Sequence, residues 1–560
     1  MKKLDAFRFS LVFFFLVFSF LGIILRLSYW QIVRAQDLDT IGKRQSTEVI
    51  SNPPQRGQIL FRDTYPLATN HFSYLMYANP KIIESPGQYS RLLSAKVHEE
   101  ESSISAQLEK DLFWVKITDG LTLDEKKDIE EMKLKGVGFE MRASRFYPEA
   151  SMSAHLVGFV GKDQYGGDKG YFGIEGYYDE LLQGRGGASY IIRDALGNPI
   201  LSDIREEEKI DGRTIQLTQD RTVQFIVEEK LKKGLESYQA EGGTVIVMNP
   251  KTGAVLAMAS FPQFDPQKYY ESNDYQNPAI SELYEPGSTF KVLVMASGID
   301  AGVVKPDTEC TDCDKPVEIG EYSIKTWNNK YYPKTTMTEV IQHSDNTGMV
   351  FVARKLGIKK LISYLEKFGI GQKTNIDLQG EATGVIRDEN DWYPIDLATA
   401  SFGQGISITP IQLLSGVNAI ANEGIRMRPY VADKIIDEAG EVFETKPAQE
   451  SKPIKSSTAK VMTAIMVNAV EKGESKWTKL KGYRVAGKTG TAQIPVAGHY
   501  DPSQTIASFV GFFPAEDPQI SMLVLVNRPK TSIYGSETAA PIFFKIAEDV
   551  INYYKIAPSY

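Results

Sequence analysis

The chain opens on an uncharged apolar stretch, Phe9–Leu25, with Lys2, Lys3 and Arg8 before it and Arg26 after it. The stretch is slightly shorter than the ~20 residues that cross a bilayer core. Leu27, Tyr29, Trp30, Ile32 and Val33 extend it into an aromatic belt, and Arg26 can snorkel. No small-x-small site closes it, so an uncleaved anchor is preferred to a removed signal peptide. Residues 1–8 are then a cytoplasmic tail, 9–33 a membrane helix, and the chain past about 34 lies outside. Helical spacing over Thr222–Leu235 sets Val223, Ile226, Val227 and Leu231 on one side. Thr244–Met248 and Ala254–Ala259 read as strands joined by the turn Asn249-Pro250-Lys251-Thr252-Gly253. Three further strands are predicted over Arg484–Gln493, Ile506–Phe513 and Ile520–Val526, with a closing helix over Thr538–Tyr554. Strands joined by short turns, with helices at both ends and in the middle, predict an antiparallel sheet covered by helices, an α/β fold of the α+β type.

At 560 residues the chain exceeds one compact core, and two or three domains are expected. The charged segment Ile204–Lys209, followed by Asp211-Gly212, marks the boundary between a membrane-proximal region, 34–212, and a second region, 213–560. A net charge of -8 argues against a nucleic-acid partner, which would require a basic face. Two cysteines cannot form a disulfide framework.

The candidate chemistry centres on Ser288-Thr289-Phe290-Lys291, where a serine and a lysine at i and i+3 share one helix face. Pro286-Gly287 lead in and Val292–Met295 follow as an apolar run, so Ser288 falls near a helix N-terminus that favours a developing anion. Ser-x-x-Lys alone is weak, and Ser457-Thr458-Ala459-Lys460 repeats it. That copy precedes the periodic stretch Val461–Val470 and reads as a helix cap. Lys251-Thr252-Gly253 similarly duplicates Lys488-Thr489-Gly490 but reads as the hairpin turn. Only Ser288, Ser344-Asp345-Asn346 and Lys488 occur in the order that the three-motif pattern of serine acyltransferases requires.

On those motifs the chain resembles class B penicillin-binding proteins. The resemblance is carried further by Tyr284–Lys291, Ser401-Phe402-Gly403-Gln404-Gly405, Gly487–Gln493 and Ser508–Pro514. In the first region, Arg56-Gly57-Gln58-Ile59, Arg145-Phe146-Tyr147-Pro148 and Gly173–Asp179 resemble the pedestal of that family. Phe61-Arg62-Asp63-Thr64-Tyr65 departs from the family's Asp-Arg-x-Gly turn. The resemblance implies a penicillin-binding transpeptidase fold on an extended, dimerisation-type pedestal. It implies a peptidoglycan D,D-transpeptidase of the division-associated group, which Ser401–Gly405 and the absence of appended C-terminal repeats favour. Ser288 is the expected nucleophile, Lys291 its base and Ser344 a proton relay. Asn346, Lys488, Thr489 and Gly490 are expected to hold the substrate, Gly490 by letting the edge strand approach it. The backbone N–H groups of Ser288 and Thr491 are the expected oxyanion hole, and Asp345 is read as structural. Stem peptides are the expected substrates and β-lactams the covalent inhibitors. The expected partners are a polytopic membrane glycosyltransferase and other divisome proteins, at the cytoplasmic (inner) membrane. The resemblance calls for no metal or cofactor. The alternatives are a carboxypeptidase or β-lactamase-type hydrolase, and a β-lactam-binding sensor or scaffold.

Cys310-Thr311-Asp312-Cys313 is read first as a local disulfide, with free thiols or a metal site as the other options. His343 adjoins Ser344, but neighbours at i+1 rarely share a face, so it is not assigned to catalysis. His499 and Tyr500 are assigned to a surface loop.

Overall fold

A computed structural model describes residues 2–97, 99–192, 205–478, 480–496 and 499–559, and these fall into two compact units. The first comprises Met1–Gln55 and Gly184–Asp211. Its N-terminal helix, Lys2–Ser28, continues into the π-helical turn Tyr29–Val33. The apolar span covers Leu4–Val33, with a mean hydropathy of 2.4 and no part buried by the protein. It starts earlier than position 9 because the helix runs unbroken through Arg8. Arg26 lies over the Trp30 ring at 5.5 Å, a cation against an aromatic face where the span ends. The same unit holds a three-stranded antiparallel sheet with Gly187–Ile192 between Thr47–Asn52 and Arg205–Glu207. The expected boundary segment is thus partly a strand, and Ile204 lies outside the described residues.

The second unit comprises Arg56–Gln183 and Gly212–Tyr560. One of its sheets carries Thr214–Leu217 between Ile59–Leu60 and Ala432–Ile436, so residues on both sides of position 212 share a sheet. The resembling pedestal motifs meet in one buried ion network. Glu175, fully buried, accepts from Arg145 Nε at 2.6 Å and Arg56 Nε at 2.7 Å, and Arg56 Nη1 reaches Asp179 at 2.7 Å. A buried carboxylate of this kind is tolerated only because it is fully paired, and loss of one partner typically costs ~3–5 kcal/mol. At the divergent turn Thr64 adopts φ +66°, a left-handed conformation that a β-branched residue rarely takes. The turn is closed by Thr64 N donating to the Phe61 carbonyl at 3.0 Å and Tyr65 N donating to Asp63 Oδ1 at 3.2 Å.

The second sheet of this unit has five antiparallel strands: β1 (Gly242–Met248), β2 (Val255–Phe261), β3 (Ala486–Val496), β4 (His499–Phe513) and β5 (Ile520–Asn527), in the order β2-β1-β5-β4-β3. Alternate side chains enter two different cores. Val245, Val247 and Val524 pack with helices α1 (Arg221–Tyr238) and α7 (Ala539–Tyr554), whereas Ile246, Met248 and Leu523 join the helices on the other face. Burial on both faces explains why these strands read as continuous apolar runs. The opposite face carries α2 (Lys291–Asp300), α3 (Met337–Gln342), α4 (Asn346–Leu356), α5 (Pro410–Ala421) and α6 (Ser456–Lys472). Cys310 and Cys313 form a disulfide, both buried. Lys251 sits in the β1–β2 turn, as expected.

The Ser457 cap is a correction. The N-cap of α6 is Lys455, without a side-chain bond of its own. Its function passes to a distant carboxylate: Asp300 Oδ1 accepts from Lys455 N and from Thr458 Oγ1, each at 2.8 Å, and Asp300 Oδ2 accepts from Tyr364 at 2.9 Å. Asp300→Ala is therefore expected to destabilise the fold by about 1–3 kcal/mol, whereas exposed Ser457→Ala should stay within ~0.5 kcal/mol, both read by urea unfolding.

Candidate active site

Gly287–Phe290 forms a 3-10 turn that runs directly into α2, so Ser288 sits one turn ahead of the helix and Lys291 is its first residue. Two contacts fix the turn. Thr289 Oγ1 donates to the Pro286 carbonyl at 2.7 Å, and Gly287 N donates to the Gly403 carbonyl at 3.0 Å. Gly287 has φ +55°, and a Cβ there would lie 3.2–3.3 Å from Ala492 and the Thr491 carbonyl. The backbone of the serine turn thus lies against β3 at Thr491.

Lys291 is fully buried. Its Nζ donates to the Ser344 carbonyl at 2.6 Å and to Asn346 Oδ1 at 2.7 Å, with Ser344 Oγ farther away at 3.4 Å. Ser344 occupies the short link between α3 and α4 at φ +56° and is itself buried. Such strain in a non-glycine residue costs of order 1–3 kcal/mol and persists only where surrounding contacts hold it. Asp345 supplies part of that support, capping α4 through bonds to Thr347 N at 2.8 Å and Gly348 N at 3.3 Å. Burial, and then the Lys488 cation, lower the Lys291 pKa to about 7, with Asp345 and Glu474 partly opposing. A neutral amine has two N–H groups and one lone pair. Donation to Ser344 and Asn346 uses both protons and leaves the lone pair free to accept.

Lys488, Thr489 and Gly490 lie on β3, paired with Val510, Phe509 and Ser508 of β4. Lys488 is buried, which lowers its pKa against the opposing charge of Glu474. Its Nζ donates to the Thr489 carbonyl at 3.0 Å and Thr489 Oγ1 at 3.1 Å, and Thr489 Oγ1 donates to Glu474 at 2.9 Å. Gly490 is needed for internal reasons: a Cβ would stand 2.3 Å from Ser508 Oγ and 2.9 Å from Thr289 Cγ2.

Lys291, Ser344 and Asn346 are thus joined by hydrogen bonds, and Lys488 reaches Lys291 through its field. Ser288 Oγ makes no hydrogen bond among the described residues. Asn346 Nδ2, expected to face a substrate, donates to the Lys325 carbonyl at 2.9 Å. The His343 ring stacks on Tyr332 with centroids 4.6 Å apart, and its carbonyl accepts from Trp327 Nε1 at 3.2 Å. Tyr500 is a correction. It belongs to β4 and not to a loop, because the β3–β4 ladder continues to Val496 and His499. Its hydroxyl donates to Glu285, three residues before Ser288, at 3.1 Å. The side chain of His499 lies outside the described residues. Sequence reasoning missed Glu474, because a carboxylate in the turn after α6 belongs to no motif and only the fold brings it to Thr489.

Residues 243–548 match the family described as "Penicillin binding protein transpeptidase domain", and residues 51–217 match "Penicillin-binding Protein dimerisation domain". The chain belongs to the class B penicillin-binding proteins. Among relatives of this family, it is 34% identical to "Stage V sporulation protein D" of Bacillus subtilis over 98% of this chain and 86% of that protein. It is 30% identical to "Probable peptidoglycan D,D-transpeptidase PenA" of Neisseria meningitidis over 99% and 94% of the two chains. A solved structure of Penicillin Binding Protein 2X from Streptococcus thermophilus superposes with a TM-score of 0.77 at 25% identity, covering 90% of this chain and 80% of that one. The peptidoglycan synthetase of Bifidobacterium adolescentis gives 0.75 at 26% identity, covering 92% and 98%. The penicillin-binding protein fold thus extends over nearly the whole chain.

The glycine contact gives a direct test. Gly490→Ala is expected to lower stability by about 1–3 kcal/mol by overpacking. The double variant Gly490→Ala/Ser508→Ala, which removes the nearest clashing atom, should recover part of that loss in thermal unfolding.

Proposed function

We propose that this protein is a membrane-anchored peptidoglycan D,D-transpeptidase that works through a serine ester. The observation that carries the reading is the buried Lys291 amine, held by the Ser344 carbonyl and Asn346 Oδ1 one helical turn from Ser288, where burial lowers its pKa to about 7. Ser288 Oγ attacks the carbonyl carbon between the two terminal D-alanines of a stem peptide, and its proton passes to neutral Lys291. The resulting oxyanion is held by the Ser288 and Thr491 N–H groups, each such donor being typically worth ~2.7–4 kcal/mol. The substrate's terminal carboxylate rests on cationic Lys488, with Thr489 and Gly490 lining its place, and Asn346 contacts its backbone. As the C–N bond breaks, the Lys291 proton is relayed by Ser344 to the departing D-alanine amine. An amine from a neighbouring stem peptide then attacks the ester carbonyl and gives its proton to Lys291. The bond between the acyl carbon and Ser288 Oγ breaks, Ser288 Oγ takes that proton back, and the new amide is the cross-link. A β-lactam enters at the same step and remains on Ser288.

This reading assigns residues 34–212 to a pedestal and 213–560 to the catalytic domain. Lys2, Lys3 and Arg8 hold the N-terminus in the cytoplasm, so the catalytic domain faces outward from the cytoplasmic membrane. Septal wall synthesis is the role that the family resemblance implies and that the sporulation name of the Bacillus subtilis relative favours. A polytopic membrane glycosyltransferase and divisome proteins are the partners that go with that role.

Fluorescent penicillin should label the wild type and fail to label Ser288→Ala, whose thermal unfolding should be unchanged. Labelling that persists in Ser288→Ala removes the nucleophile assignment. Acylation requires neutral Lys291 and cationic Lys488. Its rate should therefore rise with pH through about 7 and fall again at alkaline pH as Lys488 loses its proton. Mass analysis of the products formed with an added acceptor amine separates cross-linking from hydrolysis.

A further inference from the structure

Glu474 follows α6 and belongs to none of the three motifs. Its carboxylate accepts the Thr489 hydroxyl proton at 2.9 Å, and the same hydroxyl oxygen accepts from Lys488 Nζ at 3.1 Å. A hydroxyl has one proton. With that proton committed to Glu474, its lone pairs turn toward Lys488 and require an N–H donor there. Lys488 is therefore one hydroxyl away from a carboxylate. Lys291, by contrast, donates to two neutral acceptors, the Ser344 carbonyl and the Asn346 amide oxygen.

Two ammonium groups buried in one site repel, and acyl transfer by the proposed route needs the two amines in opposite protonation states. The charged groups that face them are each other, Asp345 from the loop before α4 and Glu474 from the turn after α6. Strand β4 presents only Val510 opposite Lys488.

We propose that Glu474 is a positioning residue that decides which lysine keeps the proton. Acting through Thr489, it orients the hydroxyl and supplies the negative charge that holds Lys488 cationic while Lys291 stays neutral. At Lys488 it is the charge that opposes burial, whereas at Lys291 its influence ranks behind those of Lys488 and Asp345. The proposal rests on the reading of Ser288 and Lys291 as nucleophile and base. It adds a residue that touches neither the substrate nor the reacting atoms.

The test is the pH profile of acylation by benzylpenicillin, which carries a carboxylate, for the full-length wild type and Glu474→Gln. Glutamine keeps the size and an acceptor oxygen and removes the charge. The alkaline limb of the variant should move to lower pH, with the rate at about pH 9 falling at least about threefold more than the rate at about pH 7. Glu474→Asp, which retains the charge, should restore part of the limb. Should Glu474→Gln prove unstable in thermal unfolding, Thr489→Val removes the relaying hydroxyl and should move the same limb in the same direction. A limb that stays in place in a folded variant overturns the role of Glu474. A wild type that benzylpenicillin does not acylate overturns the underlying reading of the site.

Discussion

A lysine at the first position of a helix buried on every side is the constraint on which this site depends. Lys291 is out of contact with water, and Val292–Gly298 behind it are buried as well. Burial penalises the ammonium, and the positive end of the helix disfavours it further. A fall from 10.5 to about 7 corresponds to a difference on the order of 5 kcal/mol between protonation states. The sign for stability is adverse. The unfolded chain binds this proton more readily, so the fold loses stability as pH drops below 10.5, and the loss is complete below about 7. Burial of Val292, Leu293, Val294 and Met295 contributes ~1.5–3 kcal/mol each, enough together to offset that loss. The helix can therefore hold a lysine in a state that no exposed position would give it.

The five-stranded sheet provides the second half of the site. Its strands bury both faces, so β3 is held against β4 along a long ladder while it remains the last strand of the sheet. Close backbone approach between Gly287–Thr289 and Gly490–Ala492 brings the serine turn against that strand. The contact depends on missing side chains at Gly287 and Gly490.

The membrane-proximal motifs obey a different rule. Arg56, Arg145, Glu175 and Asp179 come from separate segments and form one buried ion network, in which each charge is tolerable only because the others are present. Strand Thr214–Leu217 then ties this region to the remainder of its unit through one sheet. A pedestal built in this way is specified by pairings between distant residues, and not by any single stretch.

Local pattern was sufficient for the apolar N-terminal span, the five strands of the catalytic sheet and the helices α1 and α7, because uninterrupted apolar runs and helical spacing are local properties of sequence. Ser288, Lys291, Ser344, Asn346 and Lys488 were legible as motifs because each short cluster carries recognisable chemistry. Relations between segments could not be read this way. Asp300 capping α6, Tyr500 bonded to Glu285, and Glu474 holding Thr489 all join residues that no local pattern connects. The order of the motifs was written in the chain. Their electrostatics came from tertiary structure, because the proton affinity of Lys291 depends on the water excluded from it and on the charges that the fold brings near.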